Sequence, residues 1–100
     1  MVRQIIWTER AQDDRKKILD YWRRRNKSAT YSRKLNQMFR EAIGIIRDYP
    51  QIGKPTTDKS ARIKIVKDYL IIYQETVTKI FILTIWDSRQ NPDKIQAVFE

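Results

Sequence analysis

Residues 62–73, RIKIVKDYLIIY, decide the fold of this chain, because they have the pattern of two strands joined by a tight connection. Arg62 and Lys64 alternate with Ile63 and Ile65 in the first strand, and successive side chains of a strand point to opposite faces of its sheet. Burial of the isoleucines therefore predicts that both cations lie together on the exposed face. A rigid sheet with spaced cations is a platform for a partner that carries phosphate groups.

A third strand is predicted for residues 79–86, KIFILTIW, and it runs directly into Asp87, Ser88 and Arg89. The three strands form an antiparallel meander. Its second connection, at residues 75–78, lacks the Asn-Gly or glycine signal of a tight hairpin. A short additional strand is predicted at residues 4–7. The sequence thus predicts a small antiparallel sheet of about four strands.

Two amphipathic helices are predicted between the first strand and the meander. Thr8 can cap the first helix through its hydroxyl group, and Ser28 can cap the second. Pro50 ends the second helix, because the residue before a proline is pushed out of helical geometry. The short turn at residues 26–28 makes the two helices an antiparallel hairpin. The apolar stripe of the second helix consists of Tyr31, Leu35, Met38, Phe39, Ala42, Ile43, Ile46 and Tyr49.

Together these elements predict an α+β fold, in which the helical hairpin packs on one face of the sheet. Residues 51–60 are predicted to form a loop, and residues 91–100 a short helix, an added strand or a frayed end. The length of 100 residues predicts one domain that spans residues 1–100, because no stretch is left over for a second core.

Composition excludes several classes of function. No apolar run is long enough to span a bilayer and the N-terminus lacks the apolar core of a signal peptide, so we expect a cytoplasmic protein without a membrane partner. The chain contains no cysteine and no histidine, which removes thiolate catalysis and the commonest general acid–base group and metal ligand. Its two glycines cannot form a phosphate-binding loop. We expect no metal ion and no cofactor.

The net charge of +9 is high for this length, and residues 1–50 carry most of the excess, with 13 basic and 6 acidic side chains. A field of this sign favours nucleic acid, the ribosome or an acidic protein as partner, and a solvated surface is the alternative. Arg23, Arg24 and Arg25 are concentrated in the last turn predicted for the first helix. They either complement the negative end of the helix dipole or form part of a binding patch.

Arginine, lysine, tyrosine and a few carboxylates are the groups left for chemistry. They can support RNA cleavage, in which the 2′-hydroxyl attacks the neighbouring phosphate while cations stabilise the developing charge. The reaction also needs a proton donor, and Asp87 could supply one if its pKa were raised.

From about residue 6 to residue 92 the chain resembles the RelE/ParE superfamily of bacterial toxins, the toxic components of type II toxin–antitoxin modules. The residues that carry the resemblance are Trp7-Thr8, Ala11, Ile18, Tyr21, Tyr49-Pro50-Gln51-Ile52-Gly53, Arg62, Lys64, Tyr69, Ile72-Tyr73, Ile82 and Asp87-Ser88-Arg89. The resemblance implies a small curved antiparallel sheet with a helical hairpin on one face, in agreement with the prediction from the residue pattern.

The superfamily contains two activities, and the resemblance implies one of them for this chain. RelE-like members are metal-independent nucleases that cut messenger RNA on the ribosome, whereas ParE-like members poison DNA gyrase. Arg62, Lys64 and Arg89 stand where the nucleases carry basic residues, which makes them the candidate catalytic residues for binding the scissile phosphate. The same three side chains and Lys54 are the candidate nucleic-acid-binding residues.

Two departures from the nuclease pattern weigh against cleavage, and the missing proton donor together with the long helical hairpin favours the ParE-like activity. Leu70 stands where the nucleases usually carry an arginine, and no tyrosine or histidine follows Tyr73 to act as proton donor. Whether the chain is an enzyme stays open on these residues. The alternative function is a non-toxic nucleic-acid-binding module or an inactive interaction protein of the same fold. Only the toxin implies a cognate acidic antitoxin, which covers the cationic surface with a helix or an added strand.

Overall fold

The computed structural model of the protein describes residues 3–56 and 61–89. Within these residues the chain forms five strands and two helices, in the order β1 (Gln4–Trp7), α1 (Glu9–Asn26), α2 (Thr30–Asp48), β2 (Lys54–Pro55), β3 (Ala61–Val66), β4 (Tyr69–Glu75) and β5 (Lys79–Asp87). Neither of these helices is long and apolar enough to cross a membrane. The predictions for residues 91–100 lie outside the described residues.

All the strands belong to one sheet with the order β1-β5-β4-β3-β2. The strands β3, β4 and β5 form the predicted antiparallel meander. β1 pairs in parallel with β5, and the long connection that a parallel pair requires contains the helical hairpin and the strands β2, β3 and β4. The predicted α+β class is confirmed, with a mixed sheet of five strands instead of an antiparallel sheet of about four. The loop predicted at residues 51–60 contains the short strand β2.

The helix α2 supplies the main apolar stripe of the core, as predicted. Leu35, Phe39 and Ile46 have no exposed surface. They belong to one buried cluster with Tyr73 of β4 and Ile82 of β5, so the hairpin covers a single face of the sheet. Truncation of a buried aromatic residue such as Phe39 to alanine costs roughly 3–5 kcal/mol in a core of this kind.

Thr8 caps α1 as predicted and also joins this helix to the sheet. Its Oγ1 accepts a hydrogen bond from the amide of Ala11 at 3.2 Å, which satisfies one of the free N–H groups of the first turn. The same hydroxyl donates to the carbonyl of Ile82 at 2.8 Å. The neighbouring residue Leu83 is the extra residue of β5, at the point where its register with β4 shifts. The cap therefore fastens α1 to a bulge in β5.

The helix α2 begins and ends close to its predicted limits. Its N-cap position is Ala29, which has no capping side chain, and Ser28 instead accepts a hydrogen bond from the amide of Thr30 at 3.2 Å. The helix ends at Asp48, as the following proline predicts. Tyr49, predicted as the last member of the apolar stripe, follows the helix and is 67% exposed.

Thr76 closes the connection between β4 and β5 without a glycine. Its amide donates to the carbonyl of Lys79 at 2.8 Å, and its hydroxyl accepts from the amide of Lys79 at 3.0 Å. A threonine side chain thus supplies a local hydrogen bond that stabilises the turn. This explains why the glycine signal is missing at residues 75–78.

The strand β3 presents its residues to the two faces in the opposite sense to the prediction. Arg62 pairs with Tyr73, which packs in the cluster with the helices, whereas Ile63 pairs with Ile72 on the other face. Ile65 is 54% exposed. The prediction of buried isoleucines and exposed cations was therefore wrong. The strand β4 is apolar on both faces, so its register with β3, rather than the alternation within β3, decides which residues share the helical side.

We expect Thr8→Ala to lower the free energy of unfolding by about 1–2 kcal/mol, because it removes the helix cap and the bond to β5 together. Urea unfolding followed by tryptophan fluorescence measures the loss. Thr78→Ala, at an exposed threonine, is the control and should change stability by less than about 0.5 kcal/mol. Equal losses in the two variants would contradict the role assigned to Thr8.

Candidate functional site

The guanidinium group of Arg62 binds backbone carbonyl groups. Its Nη1 donates to the carbonyl oxygen of Gly53 at 2.9 Å and to that of Gln51 at 3.3 Å. Both carbonyls belong to the segment that leaves α2, so Arg62 holds this segment against β3. Hydrogen bonds from a charged donor contribute roughly 1.5–3 kcal/mol.

Tyr73 holds the same segment from within the core, where it has no exposed surface. Its hydroxyl donates to the carbonyl of Pro50 at 2.7 Å and accepts from the amide of Gly53 at 2.9 Å. A Cβ on Gly53 would lie 2.6 Å from this hydroxyl, so the close approach requires glycine. Burial raises the pKa of Tyr73. We call Pro50, Gly53, Arg62 and Tyr73 the Tyr73 clamp.

The other two candidate cations of this region lie on different faces of the sheet. Lys64 follows Arg62 on the same face, opposite Ile71, and is partly buried. Lys54 lies in β2 and pairs with Ile63, so its exposed side chain belongs to the opposite face. The structure thus brings Lys64 beside Arg62 but separates Lys54 from both.

Arg89 folds back onto Asp87 in a bidentate ion pair. Its Nε and Nη2 donate to the two carboxylate oxygens at 2.9 Å and 2.8 Å. These hydrogen bonds lower the pKa of Asp87 and raise the pKa of Arg89. The raised pKa that a proton donor at Asp87 needs is therefore absent, because the neighbouring guanidinium group stabilises the charged carboxylate.

Arg62 and Arg89 lie toward opposite ends of the sheet. Arg62 is opposite Tyr73, whereas Asp87 is opposite Tyr69, four residues away along β4. With about 3.3 Å per residue and about 4.8 Å between strands, the Cα atoms of Arg62 and Asp87 are roughly 16 Å apart. The expectation that the three cations converge on one concave surface was therefore wrong. The roles in cleavage and nucleic-acid binding that the sequence suggests for these cations stay predictions.

An open cleft of about 540 Å³ lies beside Arg89, between α1 and the ends of β4 and β5. We call it the β5 cleft, and its lining residues are Arg10, Asp14, Lys17, Ile18, Tyr21, Tyr69, Ile85, Trp86, Asp87 and Arg89. Its polar α1 members recur every three or four residues, the spacing of one helix face. Arg10, Asp14 and Lys17 were not predicted from the sequence, because helical spacing was considered there only for apolar residues.

Two contacts between α1 and the sheet hold the wall of the β5 cleft in place. The indole N–H of Trp22 donates to the hydroxyl of Tyr69 at 2.7 Å. The carboxylate of Asp14 accepts hydrogen bonds from the hydroxyl of Thr84 and from the amide of Ile85. Burial raises the pKa of Tyr69, so its hydroxyl is neutral at physiological pH.

The β5 cleft is basic but lacks a group suited to moving a proton. Its cations are Arg10, Lys17 and Arg89, of which Arg10 lies 3.9 Å from Asp14 and Arg89 pairs with Asp87. A general acid or base works best with a pKa near the operating pH, whereas Asp87 is held charged and Tyr69 is held neutral. Residues 3–56 and 61–89 contain no group of three acidic side chains placed to hold a metal ion.

The comparison with protein families identifies a class of bacterial toxins. The family described as the ParE toxin of the type II toxin-antitoxin system, parDE, matches residues 5–92. This match covers most of the chain, which therefore belongs to the ParE toxin family. The resemblance to the RelE/ParE superfamily noted in the sequence is confirmed, and the protein is the toxin of a type II toxin–antitoxin system.

Solved structures support the same fold. A chain of the chromosomal ParDE TA system from P. aeruginosa superposes with a TM-score of 0.76 at 18% sequence identity. The superposition covers 86% of this chain and 96% of that chain, and at this identity it shows the fold alone. The comparison with curated proteins gives no significant match.

The stabilisation by the Tyr73 hydroxyl should be lost in alkaline solution. Its pKa is raised above the ordinary value of 10.0 in the folded chain, so the unfolded chain releases the proton at a lower pH. The stabilisation is therefore complete below about pH 10 and declines as the pH rises through the folded pKa, by up to about 1.4 kcal/mol per pH unit. We expect the difference in unfolding free energy between the wild type and Tyr73→Phe to shrink above about pH 10.

Urea unfolding of both proteins from neutral to alkaline pH measures this difference. Tyr49→Phe, at a tyrosine that is 67% exposed, is the control for loss of a phenol from the unfolded chain. A difference between the wild type and Tyr73→Phe that stays constant across this range is the result that contradicts the prediction.

Proposed function

We propose that this protein arrests bacterial growth by acting on DNA gyrase, and that an antitoxin encoded beside it neutralises it. Membership of the ParE toxin family over residues 5–92 is the observation that carries the proposal. The structural relative from P. aeruginosa is likewise described as part of a ParDE TA system. An acidic antitoxin also suits a toxin whose net charge is +9.

The arrangement of the candidate cations favours gyrase over messenger RNA as the target. RNA cleavage requires several cations on one phosphate and a proton donor with a suitable pKa. Arg62 is bound to the carbonyls of Gln51 and Gly53, and Arg89 is paired with Asp87 at the other end of the sheet. The chain also contains no histidine. A toxin that acts by binding to gyrase needs none of these catalytic groups.

Two surfaces of the protein are suited to binding an antitoxin. Ile45, Tyr49 and Ile52 are 41%, 67% and 49% exposed around the end of α2, and such an apolar surface suits the apolar face of an amphipathic helix. β2 pairs only with Arg62 and Ile63 of β3, and the amide of Thr56 donates to the carbonyl of Ala61. Within the described residues, the part of this edge left for an added strand is therefore at residues 64–66.

Expression of the chain alone in a bacterium should arrest growth, and co-expression of the neighbouring gene product should restore it. Purified toxin should then inhibit supercoiling by gyrase and increase gyrase–DNA breaks, without new messenger RNA ends in the arrested cells. Normal growth of cells in which soluble expression of the chain is confirmed would contradict the proposal that it is a toxin. Growth arrest with new messenger RNA ends and unaffected gyrase would retain the toxin but overturn the proposed target.

The cations predicted from the sequence can be tested in the same assay. We propose that Lys64 and Arg89 contact the target, so Lys64→Ala with Arg89→Ala should relieve growth arrest at an equal level of folded protein. Lys34→Ala with Arg40→Ala removes the same charge from exposed positions of α2 and is the control. Undiminished toxicity of the first pair, or equal relief by both pairs, would refute this assignment.

A further inference from the structure

A cationic groove runs along the exposed side of α1. The β5 cleft continues into a second open cleft that is lined by Lys17, Asp20, Tyr21, Arg24 and Arg25. The two clefts share Lys17 and Tyr21, so they form one continuous surface, which we call the α1 groove. With a rise of about 1.5 Å per residue, its α1 wall extends roughly 22 Å from Arg10 to Arg25.

The acidic side chains of the α1 groove are already paired, whereas several of its cations are not. Asp20 pairs with Arg23 at 2.9 Å, and Asp87 pairs with Arg89 at 2.8 Å. The third carboxylate of the groove, Asp14 of α1, accepts hydrogen bonds from Thr84 and Ile85 of β5. In contrast, Lys17, Arg24 and Arg25 make no ion pair within residues 3–56 and 61–89. The groove therefore presents uncompensated positive charge along one side of a helix.

An exposed aromatic ring lies among these cations. Tyr21 is 48% exposed, and its ring packs edge-on against Trp22 with a centroid distance of 5.1 Å. Trp22 is itself held by its hydrogen bond to Tyr69. The tyrosine ring is thus supported from the core side, while part of its surface stays accessible to a ligand. Cations interleaved with an aromatic ring are typical of surfaces that bind a nucleic-acid backbone and stack its bases.

The chemistry of the α1 groove fits a polyanion better than an amphipathic protein helix. Apart from Tyr21, the exposed residues of its α1 wall are charged, so they offer no apolar stripe for a partner helix to cover. The exposed apolar surface lies elsewhere, around Ile45, Tyr49 and Ile52. We propose that the α1 groove binds the phosphodiester backbone of nucleic acid, with Lys17, Arg24 and Arg25 as phosphate contacts. This goes beyond the proposed action on gyrase and does not depend on it.

Binding of fluorescently labelled DNA of about 20 nucleotides to the full chain, measured by anisotropy at several salt concentrations, tests the proposal. The triple variant Lys17→Ala, Arg24→Ala, Arg25→Ala should weaken binding by tenfold or more. It should also reduce the slope of log affinity against log salt by about 2 on a single strand and about 3 on a duplex, because each of the three phosphate contacts contributes roughly 0.7–0.9 to this slope. A single strand and a duplex are both used, and a loss caused by Tyr21→Ala on the single strand alone assigns base stacking to the groove.

The control variant Lys34→Ala, Arg40→Ala, Arg47→Ala removes the same charge from exposed positions of α2. It should weaken binding by less than threefold. Circular dichroism and thermal unfolding confirm that both triple variants are folded. Equal losses in the two triple variants, no binding by the wild type, or equally tight binding of polyglutamate at the groove overturns the proposal. The first outcome indicates general charge attraction, and the last indicates an acidic protein as the partner. None of these outcomes bears on growth arrest, which is measured separately.

Discussion

The buried hydroxyl group of Tyr73 is the interaction on which the arrangement of this protein depends. The Tyr73 ring lies in the core formed by α2, β4 and β5, and its hydroxyl binds the segment that leaves α2. One side chain therefore joins the helical hairpin, the centre of the sheet and the start of β2. The hydroxyl is shielded from water, so losing either partner leaves a buried polar group unsatisfied, at a cost of about 1–3 kcal/mol.

The Tyr73 clamp gives Arg62, one of the two cations predicted to lie exposed on β3, a structural role. Because β4 sets the register, Arg62 shares the face of the sheet that carries the helices, and its guanidinium group completes the clamp through the carbonyl of Gly53. Arg62 therefore contributes to the stability of the fold rather than to an open cationic surface. Within the described residues, uncompensated positive charge lines a groove along α1 instead, at Lys17, Arg24 and Arg25. The helix that covers the core on one side thus provides the cationic surface on the other.

Much of the fold could be predicted from the sequence, because apolar spacing reports local structure well. The α2 stripe, the Thr8 cap and the antiparallel meander all follow from short-range patterns. The parallel pairing of β1 with β5 could not be predicted this way, because it joins segments more than seventy residues apart. The prediction of the orientation of β3 was wrong for a related reason. An alternating strand has two different faces, but only its pairing with the neighbouring strand decides which face the helices cover.

The candidate site was harder to predict than the fold. The resemblance to the toxin superfamily identified the correct family, but the geometry of Arg62 depends on two backbone carbonyls that no residue pattern specifies. The bidentate pair of Asp87 and Arg89 is closer to a sequence signal, since the two residues are only two positions apart. The α1 groove was also visible in principle, because Arg10, Lys17 and Tyr21 repeat with helical spacing.

A double-mutant cycle between Arg62 and Tyr73 tests the structural role of this arginine most directly. The unfolding free energies of Arg62→Ala, Tyr73→Phe and the double variant are compared with that of the wild type. Because both side chains hold Gly53, we predict a loss for each single variant and a coupling energy of about 1 kcal/mol. Additive losses within about 0.3 kcal/mol, together with an Arg62→Ala variant as stable as the wild type, would contradict the account and leave Arg62 free for a ligand.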